Sequence, residues 1–301
     1  MADRMCEGRI CVISGAGRGI GREEALMLAK HGAKVVVNDI GAARDGEGGG
    51  AGPAQDVVDE IKAMGGDAVA NTSDISTMAG AKALIDQAVE AFGGLDVVVN
   101  NAGILRDRML VNMTESDWDL VMAVHLKGTF ALTHYAGNYW RDRTKAGEKN
   151  DARIINTSSA SGIFGNVGQA NYGAAKAGIA TFTIIAGMEL ERYGVGVNAI
   201  APKALTRMTE DLSRFTETEE IKAALDPRWI APIVTWLASP QSAGVNGRVF
   251  QVSGQKFSVA EGWHRGPTAD PPDEPTEVDA IARALLAQAR NNADMDGYAI
   301  Q

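Results

Sequence analysis

A glycine-rich turn between a buried strand and a helix constrains this chain most. Arg9-Ile10-Cys11-Val12-Ile13-Ser14 is an apolar run of strand length, Gly15-Ala16-Gly17-Arg18-Gly19-Ile20-Gly21 follows it, and Arg22 to His31 has the composition of a helix. Such a turn lets backbone N–H groups approach a pyrophosphate at the positive end of the helix. Gly15, Gly19 and Gly21 carry a Gly-x-x-x-Gly-x-Gly spacing, and Gly17 supplies the shorter Gly-x-Gly spacing only in part. Alone, the loop is equally an ordinary tight turn. The next strand-like run, Lys34-Val35-Val36-Val37-Asn38, ends in Asp39, twenty residues after Gly19. An acidic side chain there accepts hydrogen bonds from ribose hydroxyls and repels a 2′-phosphate, so the combination points to NAD rather than NADP. A turn aspartate before Gly41 is the competing reading of Asp39.

The alternation begun here continues. Strand-like runs near Lys34 to Asn38, Asp67 to Asn71, Leu95 to Val99, Arg153 to Thr157, Gly196 to Ile200 and Arg248 to Val252 follow the first, and helical segments fill most gaps. This pattern predicts an α/β chain: a single-domain, Rossmann-like, doubly wound fold with a seven-stranded parallel sheet and right-handed crossovers. Ligands then gather at the carboxyl ends of the strands, where the glycine loop, Asp39, Asn101, Ser159 and Pro202 converge. A length of 301 residues suits one such domain. We place it at residues 1–265, with 266–301 as a proline-rich linker and C-terminal helical extension, because Gly266 to Pro275 holds four of the nine prolines. In the extension, Thr276-Glu277-Val278-Asp279 has the form of a capping box, and Val278, Ile281, Ala282, Leu285, Leu286 and Ala289 recur at helical spacing. Packing of that apolar face on its own subunit is favoured over a partner or an acyl site. Gly41 to Pro53 contains six glycines and no hydrophobic periodicity, as expected of a mobile surface loop beside the nucleotide.

A second pattern lies mid-chain. Ser159 is followed after thirteen residues by Tyr172, and Lys176 lies four residues further, within an alanine-rich stretch that favours helix and puts both side chains on one face. A phenol has a pKa of ~10 and is a poor acid-base catalyst near neutrality, but a neighbouring ammonium favours the phenolate. Bringing it near neutrality corresponds to roughly 4 kcal/mol, available from a close, partly desolvated ammonium aided by a second positive charge such as oxidised nicotinamide. A bare Tyr-x-x-x-Lys is otherwise a half-buried tyrosine and a solvated lysine, so the motif requires the nucleotide site described above.

With these motifs in order, the chain resembles the short-chain dehydrogenase/reductase family over roughly residues 7 to 253. Asp74-Ile75 falls at the family's adenine contact, and Asn100-Asn101-Ala102-Gly103 follows the fourth strand. The resemblance assigns cofactor contacts to Gly15, Arg18, Gly19, Ile20, Gly21, Asp39, Asp74, Ile75, Asn101, Ala102, Gly103, Tyr172, Lys176 and Thr206. Catalysis falls to Ser159, Tyr172, Lys176 and His125. Thr206 follows Ala201-Pro202-Lys203, where Lys203 stands at a usual glycine and the spacing is one residue shorter. Arg207 to Pro227 corresponds to the family's substrate lid. Within the family the chain is similar to the (3R)-hydroxyacyl-CoA dehydrogenase units of type 2 multifunctional enzymes. The residues that carry this are Val37 to Gly41 with the glycine-rich insert, Asn101 to Arg108, Ser158 to Asn166, and His125 in place of the usual relay asparagine. A packed, non-functional His125 is the alternative to a proton relay. The implied reaction is NAD-dependent oxidation of a 3-hydroxyacyl-CoA, in fatty-acid or steroid side-chain β-oxidation, by a homodimer or homotetramer. A 3-oxoacyl-carrier-protein reductase, another short-chain alcohol or steroid dehydrogenase, and a non-catalytic nucleotide sensor remain the alternatives.

Composition narrows the field further. Net charge −9 opposes nonspecific nucleic-acid binding. An anionic acyl-CoA would need a local basic cluster, for which Arg106, Arg108, Lys127, Lys203 and Arg207 are candidates. Cys6 and Cys11, five residues apart, form neither a disulfide framework nor a metal-ligand set. With no secretory signal, no membrane-spanning apolar run and no Ser-Lys-Leu terminus, a cytoplasmic enzyme without metal is expected.

Overall fold

Short runs of branched apolar residues form the strands of a central sheet, buried on both faces. The computed structural model describes residues 4–205, 218–271 and 275–289. Its strands are β1 (Ile10–Ser14), β2 (Lys34–Asn38), β3 (Asp67–Asn71), β4 (Val97–Asn100), β5 (Ala152–Thr157), β6 (Val195–Pro202), β7 (Val249–Val252) and β8 (Phe257–Ala260), in the order β3-β2-β1-β4-β5-β6-β7-β8. The helices are α1 (Gly19–Lys30), α2 (Gly52–Ala63), α3 (Met78–Phe92), α4 (Glu115–Met122), α5 (Gly128–Lys145), α6 (Ala160–Phe164), α7 (Ala170–Leu190), α8 (Glu219–Ala224), α9 (Ala231–Ala238) and α10 (Val278–Gln288). Alternate residues of each strand face opposite layers. Cys11, Ile13, Val35, Val37, Val97 and Val99 join the core beneath α1, α2 and α9, whereas Val12, Val36, Val98 and Ile154 join the core beneath α3 and α5. The doubly wound prediction therefore holds.

The expected seven-stranded, wholly parallel sheet is corrected to eight strands. β8 returns antiparallel to β7 after a turn in which the Ser253 hydroxyl accepts from the amides of Gln255 and Lys256. Phe257 stacks on Phe250 with ring centroids 5.8 Å apart. Four residues on an exposed edge show too little periodicity to read in sequence. The predicted first helix also starts earlier, at Gly19, so the end of the glycine loop is the first helical turn.

The C-terminal helix is present, but two expectations about it change. No side chain caps α10, and Asp279 pairs with Arg283 one turn on, at 2.9 Å, instead of completing a capping box. None of its residues is fully buried, and Ile281, Ala282 and Leu285 on its apolar face are half-buried, so packing on its own subunit is looser than expected. Among the described residues, no helix is long and apolar enough to cross a membrane, and no group of His, Cys, Asp or Glu is arranged to hold a metal ion. Cys6 and Cys11 are buried free thiols.

One side chain in the core departs from the pattern. Glu24 on α1 is fully buried, and neither carboxyl oxygen has a hydrogen-bond partner among the described residues. Burial pushes its pKa up to about 8. Because the folded value lies above the ordinary one, the associated stability is full below about pH 4.5 and is lost as pH rises through about 8. Glu24→Gln, an uncharged mimic of the protonated acid, should remove this dependence. Melting temperatures measured from about pH 5 to about pH 9 should fall more for wild type than for Glu24→Gln; parallel curves would count against a protonated Glu24.

Candidate active site

The glycine loop is shaped by close approach. Gly15 and Gly19 adopt φ of 66° and 55°, left-handed values that favour glycine, and a Cβ at Gly21 would collide with the Gly15 carbonyl. Asn101, leaving β4, braces this loop: its side-chain amide donates to the carbonyls of Ser14 and Gly15 at 3.1 and 3.0 Å. The Ser14 hydroxyl in turn accepts from the amides of Asn101 and Ala102. Gly17, only partly weighted from its spacing, has its own reason. Its amide donates to Asp39 Oδ2 at 2.9 Å, and a Cβ there would strike the Asp39 carboxylate and Pro53. The other Asp39 oxygen accepts from Gly41 N at 2.7 Å.

Between these segments lies a cavity of about 510 Å³ at the carboxyl ends of the strands. Most of the sequence-predicted cofactor residues line it: Gly15, Arg18, Gly19, Ile20, Asp39, Asp74, Ile75, Asn101, Ala102 and Gly103. Gly21 is the exception in that loop, buried behind it as a packing residue. A nicotinamide dinucleotide fits this donor set: a glycine turn at a helix start for its phosphates, a fixed carboxylate for a ribose, and apolar Ile75 and Leu120 beside them. Thr206 and Arg207 lie outside the described residues, as does most of the expected lid, of which α8 and the turn Pro227–Trp229 are described.

The catalytic candidates gather outside the set of residues that line this cavity. Ser159 caps α6 at the end of β5, while Tyr172 and Lys176 sit in the first two turns of α7. Lys176 is buried, donates to the Thr157 carbonyl at 2.6 Å and lies 5.5 Å from the Tyr172 ring centroid. Burial pulls the Lys176 pKa down to about 7. Burial likewise pushes the Tyr172 phenol up to about 12, against a lowering interaction with the Ser159 hydroxyl and with a further raising contribution from Asp107. In the protein alone desolvation opposes both charges, and the expected lowering of the phenol depends on the second positive charge that a nicotinamide would bring.

His125 lies in a π-helical turn, Ala123–Lys127, edge-on to Tyr172 with centroids 5.2 Å apart. Such single π turns favour functional positions, and no feature of Ala123-Val124-His125-Leu126-Lys127 announces one. Its Nε2 sits 2.8 Å from the Ile104 carbonyl and 3.0 Å from the Ile104 amide, and Gly103 must lack a Cβ because the imidazole occupies that space. Its Nδ1 is buried without a protein partner among the described residues. Burial, with Lys176 nearby, holds its pKa well below the usual value, so the ring is neutral. The structure does not join His125 to Lys176 directly.

Several positions escaped the sequence reading. Asn171, before Tyr172, is fully buried; its amide donates to the carbonyls of Arg106 and Asp117, and its own oxygen accepts from Tyr172 N at 2.8 Å. Gln169 links Ser161 to Asp107. The only sequence signal was adjacency to the Ser159 and Tyr172 motif. Two members of the supposed basic cluster are engaged elsewhere: Arg106 and Arg108 both lie 3.7 Å from the Asp117 carboxylate.

Comparison with known proteins agrees with this geometry. Residues 9–217 match the family model described as short chain dehydrogenase. The chain is 47% identical over 293 residues to a hydroxyacyl-CoA dehydrogenase, ChsB1, of Mycobacterium tuberculosis, covering 93% of this chain and 89% of that protein. It is 48% identical over 257 residues to the peroxisomal multifunctional enzyme type 2 of Drosophila melanogaster, covering 85% of this chain but 40% of that longer protein. The crystal structure of a short chain dehydrogenase from Mycobacterium avium superposes with a TM-score of 0.86 at 50% identity, covering 96% of this chain and 98% of that one. The chain is thus an oxidoreductase of a kind that works with a nicotinamide cofactor, and it belongs to the short-chain dehydrogenase family.

Proposed function

We propose that the chain oxidises a 3-hydroxyacyl-CoA to the 3-oxoacyl-CoA with NAD. The observation that supports the reaction is the grouping of Tyr172 with the Ser159 hydroxyl and with Lys176, whose Nζ lies 5.5 Å from the Tyr172 ring centroid. The substrate class is supported by relatives described as hydroxyacyl-CoA dehydrogenase and multifunctional enzyme type 2. In this reading Tyr172 accepts the hydroxyl proton during oxidation and returns it in reverse, while Ser159 donates a hydrogen bond to the substrate oxygen. A nicotinamide dinucleotide held by the glycine turn, Asp39 and Asn101 would supply the hydride acceptor and a positive charge that favours the phenolate. Lys176, held by the Thr157 carbonyl, orients the cofactor ribose, and neutral His125 serves the proton path through Nδ1. Thr206 is assigned to the carboxamide end of the cofactor.

Asp39 supports NAD over NADP. Backbone amides on two sides fix its carboxylate on the cavity wall, so a 2′-phosphate would meet a negative charge that cannot swing away. We assign residues 1–265 to the catalytic domain and 266–301 to its extension, and place the enzyme in the cytoplasm as a homodimer or homotetramer, working in fatty-acid or steroid side-chain β-oxidation.

Three outcomes follow. NAD reduction should occur with 3-hydroxyacyl-CoA thioesters across a panel of chain lengths, steroid-bearing chains and both hydroxyl configurations. Low rates on every thioester with good rates on free alcohols would replace the substrate class. Tyr172→Phe should keep its NADH dissociation constant within about threefold while kcat falls by roughly a thousandfold; loss of binding as well, in a folded variant, would contradict the assigned roles. Asp39→Ser should narrow the NADH-over-NADPH preference by about tenfold or more, and an unaltered ratio would remove Asp39 from cofactor choice.

A further inference from the structure

The glycine-rich insert between β2 and α2 is a surface segment beside the cavity, as expected, and is hydrogen-bonded at several points. At its root Gly41 N donates to Asp39, and Gly50 N donates to the Ile40 carbonyl at 2.8 Å, so the insert leaves and returns through one narrow neck. Beyond the neck it crosses from the β2 side of the cavity to the segment after β4. There Leu105 N donates to the Arg44 carbonyl at 3.1 Å, and Gly46 packs against Leu120 and Ile104. Ala42, Ala43, Arg44 and Gly46 all line the cavity, so the insert forms one of its walls.

Arg106 fastens this wall. Its Nε donates to the Asp45 carbonyl at 2.9 Å, one terminal nitrogen reaches Glu47 at 3.4 Å, and the other faces the buried Asp117 at 3.7 Å. Asp117 is held in turn by the hydroxyl and amide of Thr114 in the capping box of α4. The Arg106 carbonyl accepts from Asn171, the residue before Tyr172. One residue therefore touches the strap, the start of α4 and the start of the catalytic helix. The planar fork of arginine suits this role, because it offers separate donors in fixed directions; a lysine offers one point charge.

We propose that Arg106 is a positioning residue that latches the 41–51 strap over the dinucleotide, so that cofactor affinity depends on a side chain aimed away from the cofactor. This rests on the reading of the cavity as a dinucleotide site. The donors of Arg106 already face Asp45, Glu47 and Asp117.

The strap carries its own reporter, since trypsin cleaves after arginine and the Arg44 carbonyl is engaged only while the strap is docked. In the wild-type enzyme, NADH should slow trypsin cleavage after Arg44, identified by fragment mass, by about tenfold or more. Arg106→Met should raise the NADH dissociation constant by about five- to twentyfold, measured by fluorescence titration, and speed the Arg44 cleavage by a similar factor. Arg106→Lys should restore only part of either effect, a graded response that a general loss of stability would not produce. NADH that binds wild type without protecting Arg44 overturns the latch whether or not the Met variant folds, as does an Arg106→Met variant with unchanged NADH affinity. A wild-type chain that binds neither NADH nor NADPH overturns the reading of the cavity itself, and the latch with it.

Discussion

Polar residues at the carboxyl ends of adjoining strands are the constraint on which the site depends. Ser14, Asn38, Asn71, Asn100 and Asn156 end or nearly end β1 to β5, and register sets them side by side: Ser14 against Asn38 and Asn100, Asn38 against Asn71, Asn100 against Asn156. All are buried, so each needs a partner. Asn38 donates to Asn71 at 2.7 Å, Asn100 to Asn156 at 2.8 Å, and Asn156 onward to Thr183 of α7 at 2.9 Å. A slip of one residue in any strand would break these bonds and turn the apolar side chains to the wrong face. The same row fixes where each loop leaves the sheet, and hence where the glycine turn, Asp39, Asn101 and Ser159 stand.

Next to this row the protein holds charge where charge is costly. Lys176 and Tyr172 are displaced by burial in opposite directions, both toward the neutral form. A site so arranged resists ionising its phenol until another charge enters, which suits chemistry that should begin only with cofactor in place. Neutral His125, wedged between Gly103 and Tyr172, belongs to the same economy of charge. The glycine at 103 is required by that imidazole, so the segment after β4 and the π turn before α5 depend on one another.

Much of this was legible in the sequence, for identifiable reasons. Seven strands, the glycine turn and Asp39 follow from local pattern: apolar runs of strand length, glycines where the backbone must approach closely, and an acid at a strand end. Tyr172 and Lys176 follow from helical spacing. β8 escaped because four exposed edge residues carry almost no periodicity. Asn171 and Gln169 escaped because their importance lies in partners 65 and 62 residues away, which no local window contains. The same limit applies to the glycine-rich insert: composition places it on the surface beside the cavity and carries no sign of the hydrogen bond that ties it to the segment after β4.

What the sequence alone determined is the alternating α/β order, the position of the glycine turn and the helical spacing that puts Tyr172 and Lys176 on one face, since each is a property of neighbours along the chain. Tertiary structure decided the rest: that Tyr172 and Lys176 are both desolvated, that Arg106 faces Asp45, Glu47 and Asp117, and that Asp39 is held from two sides. Desolvation and hydrogen bonding between distant segments depend on what surrounds a group in space, and only the folded chain supplies those surroundings.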